Sequence, residues 1–402
     1  MNVFTKQTRT LAGALAAWLT LVPAGTTLAG DGDGQAVLPP LKTITNLGST
    51  IPGNGDLNPY GVAQIKRTTG NLRAGHILVS NFNNSGNFQG EGSTIVDVAP
   101  DGSGVSQFAA LNPETLNGSC PGGVGLTTAL VVLKSGWVIV GSLPTSTQGT
   151  VFTGSGCLIV LNSLGNPVET FYGSLINGPW DMTAFESGHE AKLFVTNVLN
   201  GTVEAGGKVV HGGTVTRLNL NVSGTAMPVL ESITVIGSGF PERTDPSALV
   251  IGPTGVGLRA GCDGDDCGDH DEGDQGNGDQ GNGDHDGSVL YVADTLGNRV
   301  TMIHHALSRT SSTGTGRTLS SGGSLNGPLG LVVTPGGHVL TVNSGDGFIT
   351  EISPHGVQVA KKQLDNSGSP PGAGALFGLA FDPTAGVYFV DDASNTLNLL
   401  HR

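Results

Sequence analysis

Residues 288–303 read SVLYVADTLGNRVTMI. Val289, Tyr291 and their apolar neighbours form a short β-run that ends at Asp294. Residues 295–298 then make a Gly-containing polar turn, and Arg299 opens a second run. The same grammar returns in HILVSNFN from His76, KLFVTNVLNG from Lys192, HVLTVNSGDG from His338 and VYFVDDASN from Val387. A half-buried strand that ends in Asn or Asp, repeated every few tens of residues, is the mark of a repeat architecture.

Working outward, each such strand sits second in a unit of short strands separated by Gly, Asn, Asp or Pro. The first unit opens at Asn58-Pro59-Tyr60-Gly61-Val62. The second holds LTTALVVLKSG and WVIVGSLP, the third PWDMTAFESG, the fourth PSALVIGPTG, the fifth PLGLVVTPGG. The sixth, FGLAFDPTAG onward, ends after three strands, and residues 37–47 form an orphan strand at the other end of the chain. An incomplete last unit and a spare first strand together describe a closed ring, in which residues 41–47 complete the sixth sheet and no long edge is left open. The reading is all-β, a six-bladed β-propeller with its sixth blade closed by the N-terminal strand. A β-sandwich would show no internal period, and a parallel β-helix would have shorter, more uniform coils.

The pattern resembles the NHL-repeat propellers, whose unit opens with Pro-x-Gly-apolar and whose second strand ends in V-x-D-x-x-x-N-R-[IV]. VADTLGNRV at residues 292–300 carries the second phrase, and NGPLGLVVTPGGHVLTVNSGDG at residues 326–347 carries the opening half. The second unit lacks the Pro-x-Gly opening, and only the fourth keeps Asn-Arg. The resemblance implies a radial propeller. It implies no activity, because propellers host both enzymes and passive binders.

Composition agrees with many tight turns: Gly 66 without a strict three-residue period excludes collagen, and helix-forming charged residues are scarce. Lys6, Arg9, an apolar run at residues 11–21 and Thr27-Leu28-Ala29 have the layout of a signal peptide at residues 1–29. A flexible acidic leader at residues 30–36 follows, then one propeller domain at 37–402. The expected mature protein is exported, periplasmic or extracellular, with no transmembrane anchor after cleavage. Net charge is −14, and ten acids lie in the segment 262–287, which has no Lys or Arg. With no basic stripe to neutralise phosphates, nucleic acid is excluded as a partner.

In a four-stranded meander, the turns that enter the first strand and those between second and third strands share one face. That first face collects Tyr60, Trp180, Asp181 and Phe377 from the unit entrances. It also collects Asn81, Asn197, His211, Asp294, Asn343 and Asp391 from the middle turns. Tyr60, Asn81, Trp180, Asn197, His211, Asp294, Asn343, Phe377 and Asp391 are therefore the ligand-binding candidates, at the mouth of a central channel. Asn and Asp at strand ends also bond their own backbone in Asx-turns, which alone accounts for their recurrence. The expected function is non-catalytic binding of a ligand or an extracytoplasmic protein. The alternative is a Ca²⁺-dependent lactonase-like hydrolase or lyase, with oxygens from Asn81, Asn197, Asp294, Asn343 and Asp391 around the ion. No catalytic residue set is legible: the chain has no G-x-S-x-G elbow and no H-E-x-x-H.

Cys120 and Cys157 fall on one face of the second unit and are expected to pair in an exported protein. Cys262 and Cys267 are expected to pair locally within an acidic Gly/Asp-rich insertion at 259–287, which reads as disordered. Lengthening a turn to this extent costs only about 1.7 kcal/mol of closure entropy. Asp263, Asp265, Asp269, Asp271 and Asp274 have the spacing of a calcium loop, but Cys267 stands at a ligand position and the last acid is not Glu.

Overall fold

The computed structural model describes residues 34–223, 226–261 and 286–402. The leader at 1–29, most of the acidic insertion and the Cys262–Cys267 pair lie outside the described residues.

Short Val-, Ile- and Leu-rich runs broken by Gly and Pro cannot build helices, and the described residues are strands and turns apart from one 3₁₀ turn at Pro113–Thr115. Among them, no helix is long and apolar enough to cross a membrane. Six antiparallel blade sheets form, beside a small two-stranded sheet of Thr145–Ser146 and Val151–Phe152. Blade I is Leu57–Gln64, Ile77–Asn83, Thr94–Val98 and Val105–Ala110. Blade II is Leu126–Val132, Val138–Ser142, Cys157–Leu161 and Pro167–Phe171. Blade III is Pro179–Ser187, Glu190–Asn197, Val210–Asn221 and Val229–Asp245, with a fifth strand, Leu249–Ile251. Blade IV is Pro253–Arg259, Val289–Asp294, Arg299–His304 and Arg317–Ser321. Blade V is Pro328–Val333, Val339–Asn343, Phe348–Ile352 and Gln358–Gln363. Blade VI is Leu376–Asp382, Gly386–Asp391 and Thr396–His401, completed by Thr43–Ser49. Each first strand touches the first strand of the next blade, and that of blade VI returns to blade I, so the ring is closed. The core lies in the grooves between blades. Leu158 and Ile139 of blade II meet Leu193 and Leu218 of blade III, and Val79 and Val96 of blade I meet Tyr388 and Val390 of blade VI.

Two elements differ from the sequence reading. The N-terminal strand begins at Thr43 rather than at residue 37, because Leu38–Leu41 closes a turn through Pro39 and Pro40, with Leu41 N–H donating to the Leu38 carbonyl at 3.1 Å. Prolines supply no N–H for a ladder. Val37 and Leu38 instead donate their N–H groups to the buried Glu351 carboxylate of blade V, at 2.7 and 2.9 Å. Leu249–Ile251, read as the opening of the fourth unit, pairs with Arg243–Asp245 of blade III, and Pro253 is the true opening of blade IV.

Cys120 and Cys157 are disulfide-bonded, with Cα atoms 5.1 Å apart across a sequence separation of 37. Closing a loop of this size restricts the unfolded chain by about 4 kcal/mol. A Cys120→Ala/Cys157→Ala variant is expected to unfold at a clearly lower denaturant concentration than the oxidised protein. An unchanged midpoint would show that the bridge is energetically idle.

Candidate functional site

Each blade enters the ring through a similar irregularity. In blade I, Pro59 pairs with Asn81 and Val62 with Val79, so three steps on the first strand oppose two on the second. The same offset recurs at Pro179/Met182, Pro253/Val256, Pro328/Leu331 and Leu376/Leu379, and blade II has one residue more, between Leu126 and Leu130. A bulge re-aims the side chains around it. Here it divides the first strands into a part at the first face and a part that lines the central channel.

On the first face the bulge residues of blades I, III, V and VI are aromatic or apolar, Tyr60, Trp180, Leu329 and Phe377, whereas blades II and IV have threonine there. Tyr60 stacks on Phe82 at 4.4 Å and on Phe377 at 4.0 Å, with Trp180 at 6.3 Å. Leu249, held at φ +60°, packs into the same cluster, and its segment is tied to blade I by Gln89 Nε2 donating to the Ser247 carbonyl at 2.9 Å. Aromatic groups of blades I, III and VI thus meet across this mouth and close it. Burial, followed by the charge of Asp392, holds the Tyr60 phenol far above its ordinary range.

The other candidates are placed as follows. Asn81 donates to the Thr50 carbonyl and to Thr94 Oγ1, and its Oδ1 is buried without a partner. Asn197 accepts the Asn177 N–H at 3.0 Å and donates to Thr216 Oγ1. Asp294 is fully buried, accepting from Arg299 Nε at 2.8 Å and from Gly297 N–H at 3.0 Å. Asn343 donates to the Ser324 carbonyl and to Asp346 Oδ1, leaving its own Oδ1 unpartnered. Asp391 is half-buried, its carboxyl pushed up by burial and by the charge of Asp365, while its neighbour Asp392 is pushed up to about 7 by burial and by Asp391. His211 is exposed. Only Tyr60, Trp180 and Phe377 come together. The five oxygens read as a calcium set belong to five different blades, and those of Asn197 and Asp294 are already engaged by protein donors. Among the described residues no group of three or more His, Cys, Asp and Glu side chains could hold a metal ion.

The open concavity lies on the other side of the bulges. A channel of about 260 Å³ runs along the first strands towards the opposite face, where Gln64 and Lys66 stand at its rim. Its lining includes Val62, Leu130, Met182, Val256, Leu331 and Leu379, one from each blade and each the residue at which regular pairing resumes, together with polar residues such as Thr183. The ends of the acidic insertion, Gly261 and Asp286, leave and rejoin blade IV on this same face.

The channel also contains a buried acid. Asp181 is only 8% exposed, and its two oxygens accept the N–H groups of Met182 at 2.8 Å and of Val256 at 3.1 Å. Burial outweighs those two bonds and pushes the carboxyl up to about 8. The sequence places Asp181 at a blade entrance but gives no sign that it faces the channel. The available signal is the third residue of the openings: Pro-Tyr-Gly, Pro-Thr-Gly, Pro-Leu-Gly and Leu-Phe-Gly all have Gly where Pro-Trp-Asp has an acid.

No family model and no curated protein matches the chain. Solved structures do share its fold. A gluconolactonase from Xanthomonas campestris is 12% identical over 92% of this chain and 97% of its own, with a TM-score of 0.52. Regucalcin, a calcium-binding protein from Agrobacterium tumefaciens, is 12% identical over 91% and 95%, with a TM-score of 0.53. A luciferin-regenerating enzyme is 10% identical over 89% and 94%, with a TM-score of 0.51. Identities this low establish architecture alone. The chain is a six-bladed β-propeller, the arrangement that its likeness to NHL-repeat propellers implied.

Proposed function

We propose that the protein is an exported, non-catalytic binding propeller that takes a small molecule into its channel. The observation that carries this reading is a cavity of about 260 Å³ lined by residues of all six blades, apolar and polar together, with the Asp181 carboxyl among them. Concave sites that combine apolar walls with convergent polar groups are the usual make-up of a small-molecule site. The Cys120–Cys157 disulfide supports export, since such bonds persist in oxidising compartments.

The test is calorimetric titration with methyl hexyl ketone, a small chain of matching width. Binding in the sub-millimolar range is expected. Gln64→Trp and Thr183→Trp, each crowding the channel from a different blade, should weaken it by about tenfold or more. His211→Ala, on the first face, should leave it unchanged. Undiminished binding by both Trp variants, checked for intact folding by circular dichroism, would place the ligand elsewhere. The competing function is the hydrolase. Turnover of γ-octalactone that is lost with a chelator or with Asp181→Asn would overturn the non-catalytic reading.

A further inference from the structure

We propose that the aromatic mouth on the first face is a second binding site, for one planar aromatic ring of a small molecule, and that Leu249 of the chain itself takes the ring's place in this structure. The inference goes beyond the channel reading and does not depend on it.

The segment that delivers Leu249 is no part of the ring's construction. The fourth strands of blades I, II, IV and V have five or six residues, whereas that of blade III has 17. Its surplus ends in Arg243–Asp245 and carries the three-residue strand Leu249–Ile251 over the first face. Between these two strands the chain is secured mostly to itself. The Asp245 carboxylate accepts the N–H groups of Ser247 at 2.9 Å and of Ala248 at 3.2 Å. Among the described residues, one hydrogen bond ties 246–249 to another blade, that from Gln89 to the Ser247 carbonyl. Withdrawing the tip from the mouth breaks that bond and the packing of Leu249.

Leu249 is also held under strain. The Val250 N–H donates to the Ala248 carbonyl at 2.6 Å, so Leu249, at φ +60°, is the centre of a γ-turn of the rare, strained hand. The seven other described residues with positive φ, glycines apart, are all Asn, Thr, Gln or His, and Leu249 alone is aliphatic. A turn that had only to reverse the chain would be better served by Gly or Asn. What the strain secures is the seat of the side chain. Leu249 is 7% exposed, packed against Tyr60 and Phe82 with Phe152 and Phe377 alongside.

That seat suits a ring better than it suits Leu249. Tyr60 is stacked on both Phe82 and Phe377, at interplanar angles of 16° and 22°, with Trp180 tilted at 37°. A further ring gains offset-stacked or edge contacts that an aliphatic side chain cannot make. Leu249 also underfills the place, because a void of about 10 Å³ remains among Tyr60, Phe82, Thr127, Leu143 and Trp180 behind it. An incoming ring fills that void, extends the stack and lets the γ-turn relax. Backbone strain of this kind persists where the surroundings enforce it, and ligand sites are where it collects.

The experiment measures calorimetric binding of benzyl alcohol and cyclohexylmethanol, a flat and a puckered ring on the same hydroxymethyl group. The natural protein is expected to bind benzyl alcohol about fivefold tighter than cyclohexylmethanol. Gln89→Ala frees the tip and leaves Leu249 in place, and should tighten benzyl alcohol binding about threefold. Leu249→Gly removes the plug at a φ that glycine accepts, and should tighten it about tenfold. Phe82→Leu, checked for intact folding by circular dichroism, should abolish the preference for the flat ring. Gln64→Trp and Thr183→Trp, in the channel, should change none of this, so the two readings can fail separately. Benzyl alcohol binding that appears only in Leu249→Gly would make Leu249 an ordinary core residue and overturn the inference. Equal binding of the two alcohols by the natural protein, a flat-ring preference that survives Phe82→Leu, or loss of binding in the channel variants would overturn it as well.

Discussion

Asp181→Asn is expected to be more stable than the natural protein at pH 7, by about 3 kcal/mol, and to lose that advantage as the pH falls towards about 4. The sign follows from the direction of the shift. Burial raises the folded carboxyl to about 8, whereas the unfolded chain has an ordinary carboxyl near 3.9. Between those values folding takes up a proton, so the folded state is penalised increasingly as the pH rises through the window and most at its top. At neutral pH the penalty is on the order of 4 kcal/mol, from which about 1 kcal/mol is deducted for the backbone N–H that loses its acceptor in the amide. Glu242 points the same way. It is fully buried under the turn before blade IV, and burial, only partly offset by the Asn200 backbone N–H, pushes it up to about 8. Glu242→Gln should therefore also stabilise at neutral pH, and the two effects should add because the sites share no partner. Calorimetric unfolding of the single and double variants at acid and neutral pH checks this. A difference that is constant with pH would mean that Asp181 is ionised in the fold.

Glu351→Ala should be the most destabilising single change in blade V, at about 3–5 kcal/mol. Glu351 has no exposure to solvent. Its carboxylate receives the N–H groups of Val37 and Leu38, and Oε1 lies 2.9 Å from His338 Nδ1. Leu38 and Leu41 are buried in the cluster that joins blades V and VI, so this one acid holds the N-terminal segment across a blade boundary. Truncation leaves two backbone donors without their acceptor. The accompanying structural sign is access at Lys42: trypsin should cut there in the variant and not in the natural protein. Glu351→Gln, which keeps one carbonyl acceptor, should fall between the two. Unchanged stability together with a protected Lys42 would show that the apolar packing of Leu38 and Leu41 suffices.

Much of the fold is legible in the residues themselves because a pleated, half-buried strand leaves a period-two trace that survives in a single sequence. Tyr291, Val339 and Val387 all sit in such runs, and the runs recur. The Cys120–Cys157 pair follows from placing both residues on one side of one unit. Offsets are much less legible. Residues 246–255 read as one apolar opening, yet Leu249–Ile251 extends blade III and only Pro253 starts blade IV, because an apolar triplet serves either sheet equally well. The same blindness applies to the bulges. A three-for-two register changes no residue type, but it decides that Tyr60 and Trp180 close one mouth while Asp181 turns into the bore. The Asn and Asp side chains at the strand ends are mostly engaged with nearby backbone and hydroxyl groups, as Asn197 and Asp294 illustrate. Their recurrence therefore reports turn chemistry as strongly as it reports any ligand.

The sheet that completes the ring joins residues far apart along the chain. Thr45 Oγ1 lies 2.9 Å from His401 Nε2, 356 positions along the chain, in the pairing of Thr43–Ser49 with Thr396–His401. Blades I to V can each zip from neighbouring strands as soon as they are made. Blade VI cannot, since its outermost strand precedes blade I in the chain and its other three follow blade V. Contacts of such separation carry the largest loop-closure cost and form slowly. The chain therefore passes through a stage in which an arc of finished blades has two unmatched edges, and during that interval it is most exposed to wrong pairing. Assembly of this ring is a clasp that shuts last, and its timing is set by the arrival of Thr396–His401 rather than by the stability of any blade already formed.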